Sequence, residues 1–308
     1  MAAKNYARFI GQAVRSVFAQ TFVDWELVII DDGSTDDTPL SVKPFLGDSR
    51  VRYVRSDKLG QSRAKNLGLR LSRGEFVAYL DADDAWEPTK LEKQLAVLNE
   101  RPEVGVCHTG RLLMDEEGRI QTSRDRQGAG VESPAPSRSR LVDVFLNNSV
   151  CFSSVMVRRA VFDQVGGFDP EFDLAIDYDL WLRVARHWQF ANVPEPLVLY
   201  RTGHGNLSKK LSDRVATAIS IMTRHAHRRG LKDELPAEVI AEGFSSTCNT
   251  LGYVMRPSEP LTAARWYARG LAWGGRRKES LKGVAAAALK WLSGKWDKGS
   301  AENATANR

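Results

Sequence analysis

Apolar positions along this chain follow two periods that alternate. Between Asn5 and Gln20, Tyr6, Phe9, Ile10, Ala13, Val14, Val17 and Phe18 fall on one helical face. Trp25–Ile30 is instead a short apolar run, as in a strand buried on both faces, and it stops at Asp31-Asp32-Gly33-Ser34. Val51–Arg55 predicts a strand, and Gln61–Leu71 a helix with Ala64, Leu67 and Leu71 inward. Phe76–Leu80 predicts a further strand and Thr89–Asn99 a helix opened by Pro88. Strands alternating with helices imply an α/β fold, with a mostly parallel sheet flanked by helices. No strand is predicted ahead of the helix at residue 5, although doubly wound sheets normally open with one.

Val104–Met114 continues as strand, with a turn at Glu116-Glu117-Gly118. Gln121–Arg140 is rich in Ser, Arg, Gly and Pro without an apolar period, which predicts a mobile loop. A short helix (Leu141–Leu146), a strand (Phe152–Val157) and a helix stopped at Gly166-Gly167 (Arg159–Val165) follow. Asp177–His187 predicts a helix with Leu180, Trp181 and Val184 inward, and Phe190–Val193 and Leu197–Tyr200 predict short strands. Beyond residue 205 the pattern is helical only: Ser212–Arg229, Ala237–Met255, Leu261–Ala272 and Ser280–Trp296. The expected organisation is an α/β domain over 1–205, a helical region over 206–298 and a disordered tail over 299–308.

Composition narrows the class. Hydrophobic residues at 43% and charged residues at 27% are those of an ordinary globular protein. Cys107, Cys151 and Cys248 are scattered in no metal-ligand spacing, which argues against a disulfide framework or a zinc site and suits a reducing, cytoplasmic setting. No stretch approaches the ~20 apolar residues of a membrane span, and the start does not read as a signal peptide. The formal charge of +6 gathers between Arg265 and Lys298. Within that stretch Leu281, Val284, Ala285, Ala288, Leu289 and Leu292 share a face, with Trp291, Trp296, Lys282, Lys290 and Lys295 nearby. Such a helix suits an anionic membrane surface, peripheral on the inner face; the alternative is a packed helix with snorkelling lysines. The basic end carries no nucleic-acid-binding motif.

The chemistry is written at strand ends. Phe76–Leu80 runs into Asp81-Ala82-Asp83-Asp84, where open α/β sheets place their sites. Asp81 and Asp83, two apart on an extended backbone, point the same way, and two close carboxylates repel unless a cation sits between them. A hard divalent ion takes such oxygens and leaves its remaining positions to water and phosphate, so the pair reads as a metal–diphosphate site. Asp84 reads as the cap of the helix near Pro88. Asp31 and Asp32 could accept from a nucleobase N–H or a ribose hydroxyl, or cap an ordinary turn. In Gly60–Gly68, Arg63 could face a diphosphate and Asn66 could hold an acidic side chain; a solvated helix face is the plainer reading. Asp177, in the first turn of a helix, is favoured in its ionised form and could act as a general base, while Asp179 and Arg183 read as an i,i+4 surface pair. His204 is a candidate metal ligand, although a lone His is more often structural.

Taken in order, DDGSTD, GQSRAKNLG, YLDADD, GGFDPEF, DYDLWLR and YRTGH resemble the family 2 inverting glycosyltransferases of GT-A fold, over about residues 5–205. The resemblance implies a nucleotide-diphosphate sugar donor, a divalent metal (Mg²⁺ or Mn²⁺) and transfer with inversion to a glycan or lipid-linked acceptor, as in polysaccharide biosynthesis. Residues 1–100 would then be the nucleotide-sugar half and 101–205 the acceptor half. By similarity Asp31 and Asp32 would meet base and ribose, Arg63 the diphosphate, Asp81-Ala82-Asp83 the DxD motif with Asp83 the main metal ligand, and Asp177 the base. The family's Glu-Asp is here Ile176-Asp177, and its first strand and Pro-x-Tyr-Asn turn are represented only by Asn5-Tyr6. The Gln-x-x-Arg-Trp signature of processive synthases is missing, since Leu261 and Thr262 precede Arg265-Trp266, which implies single-sugar transfer. Two alternatives stand beside this one: a non-catalytic nucleotide-sugar or carbohydrate-binding relative, and a phospho-acceptor signalling domain, which has no need of Asp177.

Overall fold

The computed structural model describes residues 1–121, 140–203 and 211–305, with side chains described as far as Ser293. In chain order the elements are β1 (Ala2–Ala3), α1 (Ile10–Phe18), β2 (Leu27–Asp31), α2 (Thr38–Val42), β3 (Val51–Arg55), α3 (Gln61–Leu71), β4 (Phe76–Ala78), β5 (Ala85–Trp86), α4 (Lys90–Glu100) and β6 (Val104–Met114). Then come α5 (Arg140–Leu146), β7 (Met156–Arg158), α6 (Arg159–Val165), α7 (Ile176–Val184), β8 (Gln189–Arg201), α8 (Leu211–Arg228), α9 (Leu231–Glu234), α10 (Ala237–Met255), α11 (Pro260–Trp273) and α12 (Arg277–Thr305). Contacts divide the chain into two compact units, Met1–Val144 with Asn148–Asn206, and Phe145–Asn147 with Leu207–Arg308.

The first unit holds two sheets. A three-stranded sheet, β1-β2-β3, is parallel throughout. All of β2 is buried, which is why it reads as an unbroken apolar run. Its residues alternate between two apolar layers: Leu27 and Ile29 join Ile10, Ala13, Val14 and Val17 of α1, whereas Val28 and Ile30 pack with Ala64 of α3. The five-stranded sheet, in the order β4-β7-β6-β8-β5, is mixed. Only β6 and β8 pair in parallel there. The α/β expectation holds, with parallel pairing concentrated in the first sheet.

Two expectations change near the start. Ala2 and Ala3 do form a strand ahead of α1, paired with Ile30 and Asp31; two residues are too few for periodicity to reveal. The helix begins at Ile10 and not at Asn5. Asn5 is left-handed (φ 61°), and the N–H groups of Tyr6 and Ala7 donate to the side chains of Thr38 and Asp36, 2.8 and 3.0 Å away. Those donors are spent outside the helix.

β8 unites the two short strands predicted around Pro194 and Pro196. Register shifts on either side of Gly110 absorb the prolines, and a Cβ on Gly110 would lie 3.1 Å from the carbonyl oxygens of Pro194 and Glu195. Phe152–Ser154, predicted as strand, is a 3₁₀ turn. The second unit is helical as expected, and α12 continues past Gly299, where a tail was expected. Most of the predicted loop Gln121–Arg140 lies outside the described residues.

Candidate active site

Asp31 and Asp32 stand at the carboxyl end of β2 and are both buried. Asp31 accepts the Ser34 N–H at 2.8 Å and the Tyr53 hydroxyl, with Arg55 Nη1 3.9 Å away. Asp32 accepts Ser56 Oγ at 3.0 Å and the N–H groups of Leu59 and Gly60 at 2.5 and 3.1 Å. Asp32 thus braces the turn that leads into α3, and Asp31 fastens the turn after β2 to β3. The chain just ahead of α1 lies along the same turn: Asn5 N–H donates to Ser34 Oγ at 2.9 Å, and Thr35 N–H to Asn5 Oδ1 at 2.8 Å. The result is a polar cradle walled by residues 3–7 and 31–38 at the carboxyl end of β2, where open α/β sheets place their ligand sites.

From that cradle α3 reaches three other parts of the unit. It is preceded by Gly60 at φ 85°, ψ 164°, a region only glycine occupies readily. Ser62 Oγ donates to the Phe172 carbonyl. Asn66 grips the Phe168 backbone with both ends of its amide, Nδ2 to the carbonyl at 2.7 Å and Oδ1 from the N–H at 2.8 Å. Asn66 therefore fixes a loop and not an acidic side chain, as was expected of it. Arg63 is exposed and forms no ion pair with any described residue. The cation of α3 that touches the acidic turn is Lys65. It is buried, its Nζ lies 2.8 Å from Asp81 Oδ1, and it sits 3.8 Å from the Phe152 ring centre. The sequence shows only a basic residue on a helix there; its position two residues after Arg63, on the buried side with Ala64, was the available signal.

Residues 81–84 form a turn closed by Asp84 N–H to the Asp81 carbonyl at 3.2 Å, so it is a turn and not an extended strand that brings Asp81 and Asp83 close in space. Asp84 does not cap a helix. Its carboxylate accepts Ser153 Oγ at 2.5 Å and the Arg201 N–H at 2.9 Å, while Gln20 Oε1 takes the Leu91 N–H near the start of α4. Arg201, almost wholly buried, donates through Nε to the Asp83 carbonyl at 2.8 Å and holds the turn from beneath. Burial first, then the charges of Asp83 and Asp81, hold the Asp84 carboxyl well above its ordinary range. The same carboxylates push the Tyr6 and Tyr200 hydroxyls up, after burial, from two sides. Among the described residues no group of three or more His, Cys, Asp and Glu side chains converges to hold a metal ion, and His204 lies outside the described residues. Asp81 and Asp83 nevertheless fit a hard divalent cation that takes one or two carboxylates, since the turn gathers the carboxylates of Asp81, Asp83 and Asp84 within electrostatic reach of one another.

Asp177 is half-buried in the first turn of α7, directly after Ala175, which is left-handed at φ 50° without being glycine. Its Oδ2 accepts Asn148 Nδ2 at 2.9 Å. Asp179 and Arg183 are not a surface pair. Asp179 is fully buried and Arg183 mostly so, 2.8 Å apart, and Arg183 also donates to the carbonyls of Val165 and Gly167 at 2.5 and 2.7 Å. This clamp fixes the Gly166-Gly167 turn ahead of the loop that Asn66 and Ser62 hold. One segment joins Asp177 to the acidic turn. Asn148 holds Asp177, and Ser153 accepts the Asp81 N–H at 3.1 Å and donates to Asp84. Five residue steps span at most about 18 Å fully extended, which bounds the separation of these anchors.

Residues 1–166 match the family described as Glycosyl transferase family 2. A Nostoc sp. protein named an uncharacterized glycosyltransferase is 35% identical over 173 residues, 54% of this chain and 52% of its own. The Escherichia coli chondroitin synthase is 28% identical over 233 residues, 75% of this chain and 32% of its own. The chain thus spans about half or less of the length of these two relatives. Among solved structures, the mannosyltransferase PcManGT from Pyrobaculum calidifontis, in complex with GDP-Man and Mn²⁺, aligns over 96% of this chain and 86% of its own with a TM-score of 0.60 at 19% identity. That likeness shows the fold, which is of GT-A type.

Proposed function

Because this chain belongs to glycosyl transferase family 2, we propose that it moves a single sugar from a nucleotide-sugar donor to a hydroxyl acceptor, with inversion at the anomeric carbon. The observation that carries this reading is the short segment from Asn148 to Ser153, which ties the Asp177 carboxylate to the acidic turn. A base on one side and a diphosphate-holding turn on the other is the arrangement in-line displacement needs.

Asp31, Asp32 and the Asn5 turn shape the nucleoside cradle, and Arg63, exposed on α3, is free to meet a diphosphate. Mg²⁺ or Mn²⁺ held by Asp81 and Asp83, with His204 as a further ligand, would supply positive charge beside the leaving diphosphate; a fold relative solved with GDP-Man and Mn²⁺ supports this. Lys65 holds Asp81 in one orientation through its ion pair. Asp177 takes the proton of the acceptor hydroxyl as that oxygen attacks the anomeric carbon on the face opposite the diphosphate. The new C–O bond forms as the sugar–phosphate bond breaks, and the diphosphate leaves with its electron pair. Asn148 holds the carboxylate in one orientation while this occurs. The E. coli chondroitin synthase among the relatives supports a glycan acceptor, surface-bound or lipid-linked.

The test is kinetic. With a donor found by screening nucleotide sugars for metal-dependent thermal stabilisation, Asp177→Asn should lower kcat by ~10²–10⁴ and leave donor stabilisation in place. Unchanged turnover would remove the base assignment. Donor binding without turnover in the wild type, over a broad acceptor set, would favour a non-catalytic sugar-binding relative.

A further inference from the structure

The sequence predicts one apolar face on the last helix, and the structure gives it two. Ser280, Gly283 and Ala287 are buried and Val284 is half-buried, at the i, i+3, i+4, i+7 spacing of an inward face. Val284 and Ala287 pack there with Ala263 and Tyr267 of α11. Leu281, Leu289 and Leu292 turn outward and are 55%, 68% and 55% exposed, with Ala285 and Ala288 exposed among them. At 3.6 residues per turn these five cover an arc of about 100°. Lys282 borders that arc on one side and Arg277 on the other, and Lys278 falls within it one turn before Leu281 and Lys282, all exposed. Beside Leu289 a shallow cavity of about 750 Å³ opens between the end of α10 and α12, lined by Arg256, Pro257, Ala286, Leu289, Lys290 and Ser293. Its two charged side chains are both cations. Tyr253, exposed, lies 5.4 Å from the Arg256 guanidinium and completes an aromatic edge.

Among the described residues none covers these leucines, and together they make a contiguous apolar patch of the kind that marks a contact surface. The charge decides what meets it. Residues 265–298 carry nine Lys and Arg against two Asp and Glu, more than the net +6 of the whole chain. A second copy would set these cations against their own kind. An anionic lipid surface accepts both halves of the pattern, the leucines at the acyl boundary and the cations at the phosphates. Among the described residues no helix is long and apolar enough to cross a membrane, so the contact is one of lying on the surface. We propose that α12 docks on an anionic phospholipid surface, with Leu281, Leu289 and Leu292 inserted and Arg277, Lys278 and Lys282 over lipid phosphates. The inference does not rest on the transfer chemistry, because docking is read without a sugar donor.

The experiment is co-sedimentation of the full chain with phosphatidylcholine vesicles, with and without about one third phosphatidylserine. The wild type should pellet with the phosphatidylserine vesicles only, and less so as salt is raised. Leu289→Asp with Leu292→Asp should weaken binding by about tenfold or more, and Lys278→Gln with Lys282→Gln should weaken it and flatten its salt dependence. Circular dichroism of the same samples should show helix content retained, since all four positions are exposed. Three results would overturn the proposal: no pelleting of the wild type with anionic vesicles, undiminished binding by the leucine variant, or a dimer held by Leu289 and Leu292 that ignores vesicles.

Discussion

Replacing Arg201 by methionine tests how the acidic turn is held. The wild-type side chain, 1% exposed, makes four hydrogen bonds: Nε to the Asp83 carbonyl at 2.8 Å, Nη1 to the carbonyls of Asp115 and Glu116 at 2.9 Å each, and Nη2 to Gln12 Oε1 at 2.5 Å. Its guanidinium also lies 4.7 Å from the Phe9 ring centre. Methionine keeps the stem and removes every donor. Each acceptor left without a partner costs about 1–3 kcal/mol. Relaxation and relief from burying a cation offset part of that, so the net loss should be about 3–5 kcal/mol. With a urea dependence of about 2.5–3 kcal/mol per molar, the upper end that a unit of this size calls for, the midpoint falls by about 1–2 M. Hydrogen exchange in urea, followed by mass spectrometry on peptides from β2 and β6, reads the first unit separately from the helical one. Arg201→Lys should fall between, because an ammonium cannot fork to several carbonyls. A midpoint for Arg201→Met within about 0.3 M of wild type would refute the claim that this side chain carries the turn.

Other consequences follow from the same geometry. Gly60→Ala should destabilise the first unit by about 1–3 kcal/mol, since its backbone is at φ 85° and the added Cβ would meet Asp173 Oδ1 at 2.6 Å; an unchanged thermal midpoint would contradict this. Lys90 is fully buried, and burial lowers its ammonium pKa to about 7, with Cys107 and Cys151 acting weakly the other way. Above pH 7 the folded chain sheds this proton while the unfolded chain keeps it to about 10.5, so the burial penalty is full below pH 7 and shrinks as pH rises. Lys90→Met should therefore gain most over wild type near pH 6, with the gap narrowing towards pH 10 in urea titrations; a constant gap would refute the assignment. Mn²⁺ with a nucleoside diphosphate should raise the thermal midpoint of wild type, and Asp83→Asn should weaken that binding about tenfold or more. Equal stabilisation of both would put the metal elsewhere.

What the sequence determined by itself is what short-range pattern can encode. Burial of β2 on both faces, the inward stripe of α1, α6 from Arg159 to Val165 and α10 from Ala237 to Met255 follow from periodicity within single elements. The ordered motifs identify the family because each is a local run of residues at a strand or helix end. Tertiary structure alone decided which side chains meet. Lys65 reaches Asp81 across sixteen positions, Asn66 grips Phe168 across 102, and Arg201 holds Asp83 across 118. Helical position hints that Lys65 faces inward with Ala64, but nothing local names what a buried basic or amide residue meets, because its partner is a backbone group or carboxylate contributed by distant chain. The outer leucines of α12 show the same limit: sequence gives the apolar count, and only packing decides which residues are left for another surface.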